Sequence, residues 1–367
     1  MQTHNGLSAQ ARSDRPGYGG IDVLRFLCAI LIIMIHVVPL GSSQGRAVLL
    51  LNHALRNVLA RAAVPFFFMC SGFFLYRKTP ADRFSTEPTK KTVLRLGRLY
   101  LLWSAIYFPI RFAGFFSSPK GFRHAALGYV RDFIFSGSFL QLWYLPALIF
   151  SVLLVSALLK RGFPPRRIVL IALLFYLPGL LAQSWFGLIR PLASLAPRLW
   201  GILKLVQKLI YSTRDGLFDG FFFVSLGMLF AFEDVRVPKK TALTGWLLGM
   251  LLLFVESFLL ERLGWAREHD MYLALIPASF FGFAWVLQTE LPATPRTLQL
   301  RKLSALIFYS HELPAVFIDR CLVPRFPILV RTPLCFLLTA VGSLLLSLAV
   351  LRLSERPRFG WLRALYA

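Results

Sequence analysis

The sequence predicts an all-α fold: a polytopic membrane protein of about ten transmembrane helices. Three observations carry that expectation. Hydrophobic residues make up 57% of the chain and charged residues only 16%. Mean hydropathy is +0.64. Apolar runs of roughly twenty residues, the length a helix needs to cross a bilayer, recur from end to end. The runs nearly consume the 367 residues, which leaves no room for a soluble domain with its own core.

The runs fall at roughly 21–40, 58–76, 99–117, 139–159, 168–186, 215–232, 241–260, 271–288, 303–322 and 333–353. Segment 1–19 is polar and is expected to be a disordered cytoplasmic N-terminus. The first run differs from a signal peptide because Asp22 and Arg25 interrupt it and no small-residue cleavage site follows His36, so it reads as a retained span. The segments between spans are short and basic, and residues 354–367 read as a basic cytoplasmic tail.

Charge gives the orientation. With the N-terminus inside, 23 of the 41 lysines and arginines lie on the cytoplasmic side and 15 on the other, Arg25, Arg61 and Arg111 falling within spans. The excess predicts both termini in the cytoplasm, and the basic outer face is suited to anionic lipid or glycan. The formal net charge of +24 does not indicate nucleic acid, because the charges are spread over span ends where lipid headgroups account for them. The four cysteines, Cys28, Cys70, Cys321 and Cys335, fall inside spans without metal-ligand spacing and read as reduced core residues.

Ionisable groups at membrane depth are expensive and mark sites. Arg25 and His36 are eleven residues apart, about 20° past three full helical turns, so they share a face about 16 Å apart along the axis. A group held at an entrance near Arg25 can extend toward His36, which suggests a channel with chemistry at its inner end. His36 reads either as a general base or transient acyl carrier, or as a buried histidine bonded to another helix. Arg25 reads as a clamp for phosphate or carboxylate, oriented by Asp22 three residues earlier, or as half of a structural ion pair at the helix start.

Further segments build a resemblance. Gly20-Ile21-Asp22-Val23-Leu24-Arg25-Phe26 with His36, Val64-Pro65-Phe66-Phe67-Phe68-Met69-Cys70-Ser71-Gly72-Phe73-Phe74-Leu75, Arg95-Leu96-Gly97-Arg98, Leu142-Trp143-Tyr144-Leu145-Pro146-Ala147-Leu148 and Ile307-Phe308-Tyr309-Ser310-His311 occur in that order. The ordered set resembles the membrane acyltransferase-3 family from about residue 20 to 353. Thr213-Arg214-Asp215-Gly216-Leu217-Phe218 is similar to the branch that includes the membrane half of vancomycin-resistance serine racemases. The resemblance implies a ten-helix protein of the bacterial cytoplasmic membrane that moves an acyl group, usually acetyl from acetyl-CoA, onto an extracytoplasmic glycan, lipid or related acceptor. It makes His36 the residue on which transfer depends.

Under that resemblance, Arg95 and Arg98, one turn apart, face the phosphates of acyl-CoA at a cytoplasmic entrance, with Lys90 and Lys91 nearby; ordinary topology signals would also place basic residues there. Ser71-Gly72 reads as a close helix approach rather than a nucleophile. Trp143 and Tyr144 line the acyl path or anchor a span end. Gln141 stands where the family often has a histidine, so whatever that histidine does must here be done without titrating. His311 and Glu312 form a second polar cluster with the first span, or an interhelical hydrogen bond. Arg214 and Asp215 either meet the acceptor or form a local salt bridge. No metal is expected. The alternatives to an acyltransferase are a transporter for a small solute such as serine and a glycan-handling membrane protein without catalysis; a small-solute carrier has no need of a phosphate clamp at Arg95 and Arg98.

Overall fold

A computed structural model describes residues 17–77, 85–210, 212–233 and 235–367, the side chains of 206–210 excepted. Every regular element among them is helical. Five helices are long and apolar enough to cross a membrane: α1 (Gly19–Val37), α2 (Arg46–Tyr76), α3 (Glu87–Phe116), α10 (Lys239–Arg262) and α14 (Pro333–Ser354). A sixth crossing results if α6 (Pro165–Leu181) and α7 (Phe186–Leu195), bent by 76° at their junction, form one broken span. Three further apolar helices are shorter, α5 (Tyr144–Lys160), α9 (Gly216–Phe232) and α11 (Leu275–Leu287). At 1.5 Å per residue, α11 with 13 residues reaches only about 20 Å, against about 30 Å of hydrocarbon. The molecule is therefore a helical membrane bundle whose crossing-length helices are fewer than the ten apolar runs.

Two helices occupy segments read as loops. These are α4 (Phe122–Phe135) and α8 (Pro197–Ile210), both with apolar and basic residues interleaved. The run expected at 303–322 divides into α12 (Pro295–Ser310) and α13 (Glu312–Phe317), with a π-helical turn following at Ile318–Leu322. Pro314 explains the break, because it offers no N–H to the Ser310 carbonyl one turn back. The carbonyl of Tyr309 is drawn out of the ladder by two side chains, the Tyr107 hydroxyl at 2.7 Å and the Gln141 amide at 2.8 Å.

Helix α1 packs against α2 and α12, and α2 packs against α9. The crossing of α2 and α9 depends on two glycines. A methyl on Gly72 would meet the Val224 carbonyl, and one on Gly227 the Met69 carbonyl, so each helix presents a side-chain-free patch to the other's backbone. Ser71 donates to the Phe67 carbonyl and lies 3.1 Å from the Tyr144 hydroxyl, a bridging role in keeping with the packing expectation.

Several expectations change at the ends of the bundle. The expected N-terminal segment lies outside the described residues up to 16, and its last three residues are ordered, Gly19 donating to the Leu291 carbonyl. The expected tail is folded: Pro357–Leu365 is a 3₁₀ segment whose Leu365 carbonyl accepts from the Trp103 indole at 3.0 Å. All four cysteines are free; Cys28 and Cys70 are buried, but Cys321, in the π-helical turn, and Cys335, in the first turn of α14, are only half-buried.

Candidate active site

Where α1 begins, the bundle encloses a cavity of about 810 Å³, within the range of ligand pockets. Its wall carries six basic side chains, Arg25, Arg77, Lys91, Arg95, Arg301 and Lys302, drawn from α1, α2, α3 and α12. Among the described residues of that wall the one carboxylate is Glu87, which Lys90 holds at 2.9 Å. Arg25 lies deepest in sequence register, with its Nε buried and unpartnered and its guanidinium 5.9 Å from the Phe67 ring centre. Tyr366, from beyond the 3₁₀ segment, closes part of the same wall.

Two sequence expectations are corrected here. Asp22 does not orient Arg25: it is fully buried and bound bidentately by Arg301, at 2.7 and 2.8 Å, because α12 packs on α1 and brings that guanidinium to it. Arg95 reaches the cavity and Arg98 does not, since three residues advance the helix by about 300° and leave the second side chain on an adjoining face.

At the far end of α1 stands His36. The helix stops at Val37 because Pro39 disfavours helical backbone at Val38, which adopts a left-handed φ of 53°. His36 is thus in the last turn of the helix, and its side chain is 22% exposed. Its Nδ1 lies 3.2 Å from Oε1 of Glu312, and the rings of His36 and His311 are 5.2 Å apart. His311 is fully buried. Its Nδ1 faces the carbonyls of Ile307 at 3.1 Å and Phe308 at 2.9 Å, so Nδ1 must be the donor, leaving the lone pair on Nε2. That lone pair points at Oε1 of Glu312, 3.6 Å away, and neither atom has a hydrogen bond of good geometry. A proton on one of the three groups relieves the repulsion between the lone pairs. Two imidazoles and a carboxylate within 4.8 Å of one another are also donor types that a transition metal accepts.

Between cavity and histidine lies an aromatic wall. Phe308 is 5.3 Å from Phe67 and 5.1 Å from Tyr144, ring centre to ring centre, and its carbonyl meets His311. The cavity reaches Tyr144 and Phe308 but its lining excludes His36. Trp143 and Tyr144 are both buried, so neither is an interfacial anchor. Tyr144 lines the cavity, while Trp143 turns to the other side, its ring face covered by Arg214 at 4.9 Å. Gln141, also buried, serves the kink beside His311 through the Tyr309 carbonyl.

Near His36 lies an ionic cluster that spacing did not reveal. Asp270, in the loop between α10 and α11, is bonded by Arg61 of α2 and lies 3.5 Å from Nη1 of Arg214. Burial opposes its charge, but Arg214 and Arg61 outweigh that and hold its carboxyl below the usual range. Arg61 belongs to the Ala60–Ala62 turn that packs against α1. Asp215 plays a different part. Its carboxylate accepts from the Leu217 and Phe218 amides at 2.9 and 3.1 Å, capping α9. Sequence reasoning noted Arg61 only as a charge inside a span and gave no role to Asp270, Arg77 or Arg301; their partners are up to 279 residues away, so no local pattern announces them.

A protein named amino-acid racemase from Enterococcus faecalis is 28% identical over 348 residues, 92% of this chain and 47% of its own length. One named serine/alanine racemase, from Enterococcus gallinarum, is 30% identical over 275 residues, 73% of this chain and 37% of its own. The chain thus spans less than half the length of these curated relatives. No solved structure matches. A family model described as an acyltransferase domain covers residues 18–352, and over nearly its whole length the chain belongs to the acyltransferase-3 family.

Proposed function

We propose that the protein is a membrane O-acyltransferase that takes an acetyl group from acetyl-CoA on the cytoplasmic side and places it on a hydroxyl of an extracytoplasmic glycan or lipid-linked acceptor. The observation that carries this reading is the cavity at the start of α1, with six basic side chains around a space large enough for an extended ligand. Coenzyme A is a polyanion with a long thin arm. Arginines bind its phosphates by charge-assisted, often bidentate hydrogen bonds, and the arm continues along α1 past Arg25 toward His36 once the rings of Phe67, Tyr144 and Phe308 part to admit it.

In the transfer step, Nε2 of His36 takes the proton of the acceptor hydroxyl while Glu312 holds Nδ1. The oxygen attacks the thioester carbonyl, the C–O bond forms and the C–S bond breaks. The departing thiolate then takes the proton from the imidazolium, which gives free coenzyme A and an ester and restores the neutral histidine. In this reading Arg25 and Arg95 bind the donor, Asp22 fixes Arg301 in the cavity wall, and both termini are cytoplasmic.

The test is release of the coenzyme A thiol from acetyl-CoA by the protein in sealed vesicles, compared with His36→Gln. Turnover lost in a variant that still binds acetyl-CoA supports the reading. Equal turnover in the variant, or accumulation of labelled serine with no thioester consumed, overturns it. Arg95→Ala should weaken acetyl-CoA binding roughly 10- to 150-fold by calorimetry, the range expected for one charge-assisted contact.

A further inference from the structure

The cluster of Arg61, Asp270 and Arg214 has more positive charge than its own partners consume. Asp270 is the carboxylate paired with the two guanidiniums; Asp219, buried nearby, makes no ion pair with either among the described residues and leaves its Oδ1 without a partner. Arg61 makes the close contact and already matches its charge. Arg214 stands off at 3.5 Å, beyond the usual range for a hydrogen bond. It is positioned instead by the face of Trp143, and its side chain is 36% exposed. A guanidinium has five N–H donors, and the long contact to Asp270 uses one of those of Arg214. Arg61 contributes a second opening, since its Nε is buried with no hydrogen-bond partner, as is that of Arg56, whose charge acts on Arg61. A structural staple between α2 and the loop before α11 would require Asp270 and one arginine only.

We infer that this cluster recognises an anionic group on the acceptor, a carboxylate or a phosphate, and holds it so that the acceptor's hydroxyl meets His36. The inference rests on the acyl-transfer reading for the identity of the hydroxyl compound as acceptor, but not for the binding of the anion. Three observations join the cluster to the reacting histidine. Arg61 lies on the Ala60–Ala62 turn of α2, against which the helix carrying His36 packs. His36 is itself accessible at the end of α1. The surplus cation lies on the side of Trp143 away from the donor cavity, so an anion bound there does not compete with coenzyme A. Asp270 then acts as a positioning residue: it holds Arg61, and by partly neutralising the pair it keeps the site from retaining its anion too tightly for turnover. A neutral sugar or alcohol would leave the surplus charge unmet and should be a poor acceptor.

The experiment is calorimetry on the protein in phosphatidylcholine nanodiscs, whose lipid carries no net charge, with D-glycerate, glycerol 3-phosphate and glycerol as probes. These share a hydroxyl-bearing three-carbon frame and differ in the charged group. The expected result is that one or both anions bind at least about 10-fold more tightly than glycerol; the tighter of the two identifies the class as carboxylate or phosphate. Arg214→Gln should weaken that anion roughly 10- to 150-fold and leave acetyl-CoA binding unchanged, which also shows that the variant is folded. Anions that bind no better than glycerol, or an Arg214→Gln protein that keeps its anion affinity, overturn the inference. If the variant does not fold, the ranking of the three probes is repeated with the donor cavity saturated by coenzyme A, so that binding outside that cavity decides. Anion binding without release of coenzyme A from acetyl-CoA would sink the acyl-transfer reading and leave anion recognition standing; release without anion preference would do the reverse.

Discussion

Glu312 lies between two imidazoles of unequal freedom. The Nδ1 of His311 is committed to two backbone carbonyls, so that ring has only Nε2 left to take a proton, whereas both nitrogens of His36 are free of the backbone. Glu312→Gln preserves shape but cannot carry that proton or balance an imidazolium. It should lower kcat on the order of 10²- to 10⁴-fold while leaving the KM for acetyl-CoA unchanged, as steady-state thiol release would show. At Asp270 the sign of the pH effect follows from the arginines. Its folded carboxyl titrates below its unfolded value of about 3.9, so its contribution to stability is complete above that value and is lost as pH falls through the folded one. Thermal unfolding followed from pH 6 to pH 3 should show this loss, and Asp270→Asn should remove the acid dependence. At neutral pH that substitution leaves two guanidiniums without their carboxylate and should cost about 3–5 kcal/mol.

Between helices, the crossing of α2 and α9 depends on what is absent at two positions. Gly72→Ala places a methyl against the Val224 carbonyl, and Gly227→Ala one against the Met69 carbonyl, both backbone atoms that cannot rotate away. Either change should separate the helices and lower the unfolding midpoint in detergent, whereas Gly97→Ala on α3 meets open space and should leave it unchanged. The sequence made the close approach at Ser71-Gly72 legible, as it did the shared face of Arg25 and His36, since both depend on local spacing. The partner of Asp22 was not legible, because bidentate pairing with Arg301 exists only once α12 lies on α1. Helix lengths were legible only in part: hydropathy records where the apolar runs are but not where Pro314 divides one or where Pro39 ends another at His36. The role of Gln141 illustrates the same limit. As a letter it is a departure from a family habit, and in the fold it supplies the amide that meets the carbonyl released at the kink.

For the molecule as a whole, the two ends of α1 do different work. The basic cavity is at one end and the accessible histidine at the other, so the reaction in the proposed reading is sided. Thiol release in sealed vesicles should require acetyl-CoA on the face carrying Arg95, and the acylated product should appear on the opposite face. Consumption of acetyl-CoA supplied only to the His36 face would refute that sidedness. The rings of Phe67, Tyr144 and Phe308 add a consequence that concerns the cell more than the reaction. A roomy polar recess on one side and an open imidazole on the other make this bundle nearly a pore, and those three rings are the insulation between them. Each elementary charge that crossed would release about 2.3 kcal/mol per 100 mV of membrane potential, so an imperfect seal would drain the potential with every proton that slipped past. Phe308→Ala should therefore make vesicles conduct protons, read as collapse of an imposed pH gradient by an entrapped dye, and its toxicity to a growing cell should exceed that of any variant that merely stops the chemistry.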